Sequence, residues 1–217
     1  MEVKTITVGT SGTNCYIVYD QHGGEASVID PGAEADKILR FLAEKELRVK
    51  NIFLTHGHFD HILAVQQVQE KTGARIVIHA EDAHCLQSSH AALYSSIMRE
   101  PFRVSKADIC LHGGEKTIVG TVEAEFVHTP GHTPGSVCIV MDNVIFTGDT
   151  IFEGDVGRTD LPGGSASSLK RSLVWLYRLP YDYILYPGHG APTTLGMERD
   201  NNRYLRAAAG ISESTVL

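Results

Sequence analysis

The sequence has no Cys-x-x-Cys pair, a single tryptophan, and no apolar run approaching the roughly 18 residues that a membrane span needs. Its four cysteines, Cys15, Cys85, Cys110 and Cys138, are scattered, which argues against a thiolate zinc site and against a disulfide framework. Positive charge is also short. Lys and Arg total 19 against 26 Asp and Glu, for a formal net charge of -7, so no basic stripe is available to grip a nucleic-acid backbone. The N-terminus, MEVKTITVGTSG, alternates polar and apolar residues and reads as a strand, not as a signal peptide. These absences predict a soluble, cytoplasmic protein with no membrane partner and no nucleic-acid partner. Repeats, low-complexity tracts and linkers are absent too. With 217 residues, 42% of them hydrophobic, the expectation is one domain over residues 1–217 with a sizeable core.

What is present is alternating strand and helix patterning. VKTITVG, TNCYIVYD and EASVIDPG read as an antiparallel meander, with DQHGG as the turn between the second and third. EADKILRFLAEKEL has helical apolar spacing and is followed by the strand VKNIFLT. HILAVQQVQEKTG reads as one helix capped by Gly73, and ARIVIHA as a short strand. KTIVGTVEAEFVHT and SVCIVMDNVIFTGD restore strand patterning with DN as a hairpin turn. SASSLKRSLVWLYRL is a helix with a Ser N-cap, DYILYP a strand, and GMERDNNRYLRAAA a last helix.

Histidine is the unusual residue, at 11. In LTHGHFDHILA, His56, His58, Asp60 and His61 fall within six positions, directly after the apolar run NIFL. Residues two apart on an extended segment project to one side, so His56 and His58 can converge on one point. If the chain then turns into a helix near His61, Asp60 and His61 face a neighbouring point. Further metal-capable residues occur in matching settings: His132 in HTPGHTPGS, Asp149 in IFTGDT and His189 in LYPGHG. Each follows an apolar strand and has a glycine beside it, the layout expected of reactive loops on a rigid scaffold.

THGHFDH, HTPGHTPGS, TGDTIF and PGHG, in this order along essentially the whole chain, resemble the metallo-β-lactamase superfamily. That resemblance implies an α/β fold, a four-layer αβ/βα sandwich with the site at one edge. It implies two divalent metal ions, zinc first and iron or manganese next. His56, His58 and His132 would hold the first ion and Asp60, His61 and His189 the second, with Asp149 bridging. Two such ions outweigh the negative charge of Asp60, Asp149 and a bridging hydroxide, which suits an anionic small-molecule substrate. Asp60 and Asp149 are the carboxylates expected at the reacting centre, and the hydroxide is the expected nucleophile.

Asp149 at the bridging position argues against the classical antibiotic-destroying branches, where Cys or Ser typically stands, and His58 argues against the flavo-diiron branch, which has an acidic residue there. GDTIFEGDVGRTDLPGGS resembles the glyoxalase II branch, the hydroxyacylglutathione hydrolases and their short bacterial relatives. There Arg158 and Asp160 would brace the loop carrying Asp149; an ordinary surface ion pair is the plain alternative. Asp30 in SVIDPG matches a position beside the metal loop, and a simple turn Asp is the alternative there. Full-length glyoxalase II carries a C-terminal helical domain whose basic residues hold the glutathione carboxylates, whereas only about 28 residues follow His189 here. The loop around LYSSIMREPFRV, with Tyr94, Met98, Arg99 and Arg103, is a candidate substitute. The resemblance therefore implies a thioester hydrolase; a mononuclear iron persulfide dioxygenase on His56, His132 and Asp149, or a lactonase on the same metals, are the alternatives. His22, His79, His84, His90, His112 and His128 lack the matching context, and Tyr186 reads as packing.

Overall fold

The computed structural model describes residues 1–20, 24–87 and 105–211. Tyr94, Met98, Arg99 and Arg103, together with His22 and His90, lie outside the described residues. Six strands form the first sheet in sequence order: β1 (Glu2–Val8), β2 (Thr13–Tyr19), β3 (Glu25–Ile29), β4 (Arg48–Phe53), β5 (Arg75–His79) and β6 (Ile109–Leu111). The β1–β2 and β2–β3 pairs are antiparallel; β3–β4, β4–β5 and β5–β6 are parallel. Four more strands run β7 (Lys116–Val119), β8 (Val122–His128), β9 (Val137–Met141) and β10 (Val144–Gly148). A small ribbon, β11 (Ile151–Phe152) with β12 (Asp155–Val156), precedes β13 (Ile184–Pro187) and β14 (Thr193–Thr194). The second sheet has the order β14-β13-β10-β9-β8-β7, with only β10–β13 parallel.

Alternation along the strands explains the layering. In β2, Cys15 and Ile17 join one buried cluster with Ile38, Leu42, Val65 and Val68, whereas Tyr16 and Val18 join a second with Phe126, Ile139 and Phe146. In β9, Val137, Ile139 and Met141 face that second cluster, while Cys138 faces a third with Leu169, Leu173 and Leu176. Strands apolar on both faces must be covered on both. Three interfaces between four layers result, helix on sheet on sheet on helix: a four-layer αβ/βα sandwich. Burying each large aliphatic side chain contributes roughly 1.5–3 kcal/mol before entropy is subtracted.

The outer helices are α1 (Ala35–Glu44), α2 (Phe59–Ile62) and α3 (Val65–Thr72) on the first sheet, and α4 (Ala166–Tyr177), α5 (Leu195–Asn201) and α6 (Arg203–Ala208) on the second. Ser165 caps α4 by accepting from Ser168 N. Two expected helices are each broken in two. Ala64 N donates to Pro31 O instead of continuing the helical ladder, which separates α2 from α3. Asn202 is extended, and its side chain accepts from Tyr204 N and Leu205 N, so it starts α6 anew. Both breaks depend on partners distant in sequence or on a side-chain cap inside a polar run, and periodicity registers neither.

Candidate metal centre

Four strands deliver the site from their C-terminal ends. β4 leads into the loop bearing His56 and His58, and α2 carries Asp60 and His61 in its single turn. His132 follows β8, Asp149 follows β10 and His189 follows β13. His56 and His58 do converge, with ring centroids 4.9 Å apart. The loops close on one another across the mouth of the sandwich. Asn14 N donates to Gly188 O at 2.7 Å, and the Asn14 side-chain amide donates to Pro187 O and Gly190 O. Tyr16, buried between the sheets, donates its hydroxyl to Pro187 O. Gly188 has no alternative: a Cβ there would stand 2.1 Å from Asp149 Oδ1.

All seven expected ligand residues come together. His56, His58 and His132 offer donor atoms within 4.8 Å of one another, as do Asp60, His61 and His189. Asp149 lies between the two sets, with Oδ2 3.3 Å from His132 Nε2 and 3.7 Å from His189 Nε2, and Oδ1 3.5 Å from His61 Nε2. Asp30, His56 and His61 form a third close group, but the Asp30 oxygens are already occupied. Oδ1 accepts from Thr55 N, while Oδ2 accepts from Thr55 Oγ1 and from His61 Nδ1. Asp30 therefore holds Thr55 and His61 in place, with both of its oxygens engaged.

These outer bonds fix the tautomers. His61 Nδ1 donates to Asp30 at 3.0 Å, which leaves Nε2 facing the centre. His132 Nδ1 donates to the Arg158 carbonyl at 2.8 Å, with the same result. Thr55 gives its proton to Asp30 and so accepts from His56 Nδ1 at 3.1 Å, again freeing Nε2. Asp30 thus orients His61 directly and His56 through one hydroxyl.

Electrostatics divides the site. His58 is pushed down to about 4, first by burial and then by the imidazoles of His132 and His61. His56, fully buried, is lowered for the same reasons. Burial also opposes charge on His61, yet Asp149, Asp60 and Asp30 outweigh it and raise the group to about 10. Asp60 is held below the usual carboxylate range: burial works against this, but His61, His189 and the Thr13 hydroxyl outweigh it.

His56 Nε2 and Asp149 Oδ1 are buried with no hydrogen-bond partner. Buried polar atoms are normally satisfied, and here two unsatisfied lone-pair donors point into a nest of imidazoles and carboxylates. That donor set fits a divalent cation of the zinc or iron kind, and Asp149 stands between the two groups of donors. Solvent reaches it at His189, whose side chain is 28% exposed, and at Asp60, 16% exposed; His56 and His61 are closed off.

Sequence reasoning missed Thr13, Asn14, Thr55 and Asp82. Thr55 was the legible one, a polar residue ending the apolar run before His56. For Arg158 and Asp160, the geometry matches the surface ion pair named as the alternative to bracing. Their side chains pair bidentately with each other, at 2.7 and 2.8 Å, on the surface, and the part of Arg158 that reaches the centre is its backbone carbonyl. His79 and His128 stack at 4.1 Å outside the centre.

The chain matches the metallo-beta-lactamase superfamily model over residues 8–189. It is 34% identical to the hydroxyacylglutathione hydrolase GloC of Haemophilus influenzae, over 95% of this chain and 99% of that one. Among solved structures it is similar to the BLEG-1 B3 metallo-beta-lactamase (35% identity, TM-score 0.87, 94% of this chain and 99% of that one). It is also similar to ETHE1 from Myxococcus xanthus (30%, TM-score 0.80, 97% and 85%) and to TTHA1623 in a di-iron-bound form (33%, TM-score 0.82, 93% and 100%). With the family model matching most of its length and the donor residues gathered at one edge of the four layers, the chain belongs to the metallo-β-lactamase superfamily.

Proposed function

We propose that residues 1–217 form one domain acting as a dinuclear metal-dependent hydrolase of small anionic thioesters. His56, His58 and His132 would hold one ion, Asp60, His61 and His189 the other, and Asp149 both. The observation that carries this reading is the completeness of both donor sets, joined by a carboxylate whose buried Oδ1 has no hydrogen-bond partner. Ions bound there supply a Lewis acid for a carbonyl oxygen and water of lowered pKa. The chain's own residues do the rest. Asp30 and Thr55 hold two imidazoles in the donating tautomer, and Thr13 anchors Asp60 at 3.1 Å. The exposed side, at His189 and Asp60, receives the substrate. Water adds to the thioester carbonyl, the C–S bond breaks, and an acid and a thiol leave. The similarity to GloC supports the thioester.

A second reading, an iron-dependent persulfide dioxygenase, draws on His56, His132 and Asp149, which also converge. Metal content per chain, measured with thiol release from an acyl-thiol ester under argon and in air, separates the two. A hydrolase carries two metals and works equally in both atmospheres. One metal, oxygen uptake with a persulfide and negligible ester turnover would overturn the proposal. The panel includes one acyl group on glutathione, on coenzyme A and on a neutral thiol, together with a lactone and, given the likeness to BLEG-1, a β-lactam.

A further inference from the structure

Asp82 stands at the end of the turn after β5, outside every donor group of the centre, and is 1% exposed. Its carboxylate makes three bonds and none to a histidine. Oδ2 accepts from Gly57 N at 2.8 Å and from Thr133 Oγ1 at 2.7 Å; Oδ1 accepts from Gly135 N at 2.8 Å. Gly57 lies between His56 and His58, and Thr133 follows His132 directly. One buried carboxylate therefore joins the two loops that carry the three-histidine set, although those loops are some 75 residues apart in sequence.

The surroundings agree. At Gly135 a Cβ would meet Asp82 Cγ at 2.6 Å, and at Gly57 it would meet Cys85 Cβ and Sγ at 2.7 Å and Asp82 O at 3.1 Å. Neither glycine has a positive φ. Backbone conformation does not demand glycine at these two positions; the close approach of the Asp82–Cys85 turn does. Both loops are shaped to receive that turn. Thr133 is held twice, since its N and Oγ1 also lie 3.0 and 2.8 Å from Ser136 Oγ.

We infer that Asp82 is a positioning residue for the His56–His58–His132 half of the centre, setting the spacing between its two loops, and that it leaves the Asp60–His61–His189 half alone. This rests on the metal reading above. It differs from the role of Asp30, which touches His61 and, through Thr55, His56. Partners that orient metal ligands cost about 10- to 100-fold in metal affinity when removed, and a loss confined to one of two sites is what separates positioning from general stability.

The test uses Asp82→Ala, with Thr133→Val as a milder variant that deletes one of the three donors. Zinc affinity is measured by competition with a chelator, and amide hydrogen exchange is followed in the metal-free protein. Asp82→Ala should weaken one zinc equivalent about 10- to 100-fold and leave the other within about twofold; Thr133→Val should weaken the same equivalent less. In the metal-free variant, exchange should speed up at Gly57, Thr133, Gly135 and Ser136 and not at Asp60, His61 or His189. Equal weakening of both equivalents, no weakening of either, or exchange rising throughout the chain would overturn the inference. If wild-type protein took up no zinc, the metal reading would fall; the clamp would then stand or fall on the exchange pattern alone.

Discussion

His58 and His61 are three positions apart, one just before α2 and one within it, yet their imidazoles are displaced in opposite directions. Burial and neighbouring imidazoles push His58 down to about 4; three carboxylates overcome burial and lift His61 to about 10. The three-histidine half has no carboxylate of its own and shares only Asp149. The other half has Asp60 as a donor, Asp30 behind His61, and the same Asp149. Nearness in sequence therefore says little about the charge a ligand experiences; the elements packed against it decide. One half is a neutral nitrogen face that resists protons, and the other is an anionic face that attracts either a proton or a cation.

The largest effect should come from the residue the halves share. Asp149→Ala leaves His61, His132 and His189 without their common carboxylate, so both metal equivalents should weaken by more than about 100-fold, beyond what loss of an outer partner costs. Turnover should fall to background. Metal analysis after gel filtration checks this, and retention of one tight equivalent would show that Asp149 belongs to a single half.

Asp30→Ala comes next and should blur the contrast by loosening both halves. It strips the partner from Thr55 N, Thr55 Oγ1 and His61 Nδ1, all buried, at about 1–3 kcal/mol for each unpaired group. Allowing for non-additivity, about 3 kcal/mol lowers the Tm by roughly 6–12 °C in a chain of this size. Calorimetry measures it. Comparison with Asp82→Ala sharpens the point, because only Asp30 reaches His61.

The opposed imidazoles also predict two limbs in the stability of the metal-free protein. The folded value of His58 lies below its usual 6.5, so the folded state resists protonation, and stability is lost as pH falls from 6.5 toward 4. The folded value of His61 lies above 6.5, so its contribution is complete below that pH and is lost as pH rises through about 10. Tm measured against pH in chelator-treated protein should therefore fall on both sides of neutrality. His58→Gln should shrink the acid limb and leave the alkaline limb in place, because His58 is not among the groups that raise His61. His61→Gln should shrink the alkaline limb and, since His61 helps hold His58 and His56 down, the acid limb as well. An alkaline limb that His58→Gln reduced as much as His61→Gln does would refute the division into a neutral and an anionic half.

Much of this was legible in the residues, for a physical reason. Metal-capable side chains gather on short loops at strand ends, so His56, His58, Asp60, His61, His132, Asp149 and His189 announce themselves through an apolar run before and a glycine beside. The layering came from the family resemblance that those motifs carry, and the strand patterns alone did not give it. The supports were not legible. Asp82 is an acidic residue in EDAHC that looks solvated, and only the approach of Gly57 and Gly135 from distant loops makes it buried and essential to their spacing. Thr13 and Asn14 reach Asp60 and the His189 loop across the sandwich, a contact with no local signature.

The smallest expected effect concerns Arg158, whose side chain the family resemblance made a brace, with a surface ion pair as the alternative. The guanidinium and the Asp160 carboxylate are both mostly exposed, at 61% and 68%, and bond to each other. Exposed pairs are screened by water and salt, and holding two long side chains in place offsets the attraction. The useful atom is the Arg158 carbonyl, which accepts from His132 Nδ1, and every substitution except a backbone change keeps it. Arg158→Ala should therefore leave zinc stoichiometry, zinc affinity and Tm unchanged within error, at low and at high salt. An effect on KM for an anionic thioester, with metal content intact, would place the guanidinium against substrate. Loss of the zinc equivalent held by His132 would instead show that the pair braces the loop after all, and that the three-histidine half depends on a surface charge as well as on buried Asp82.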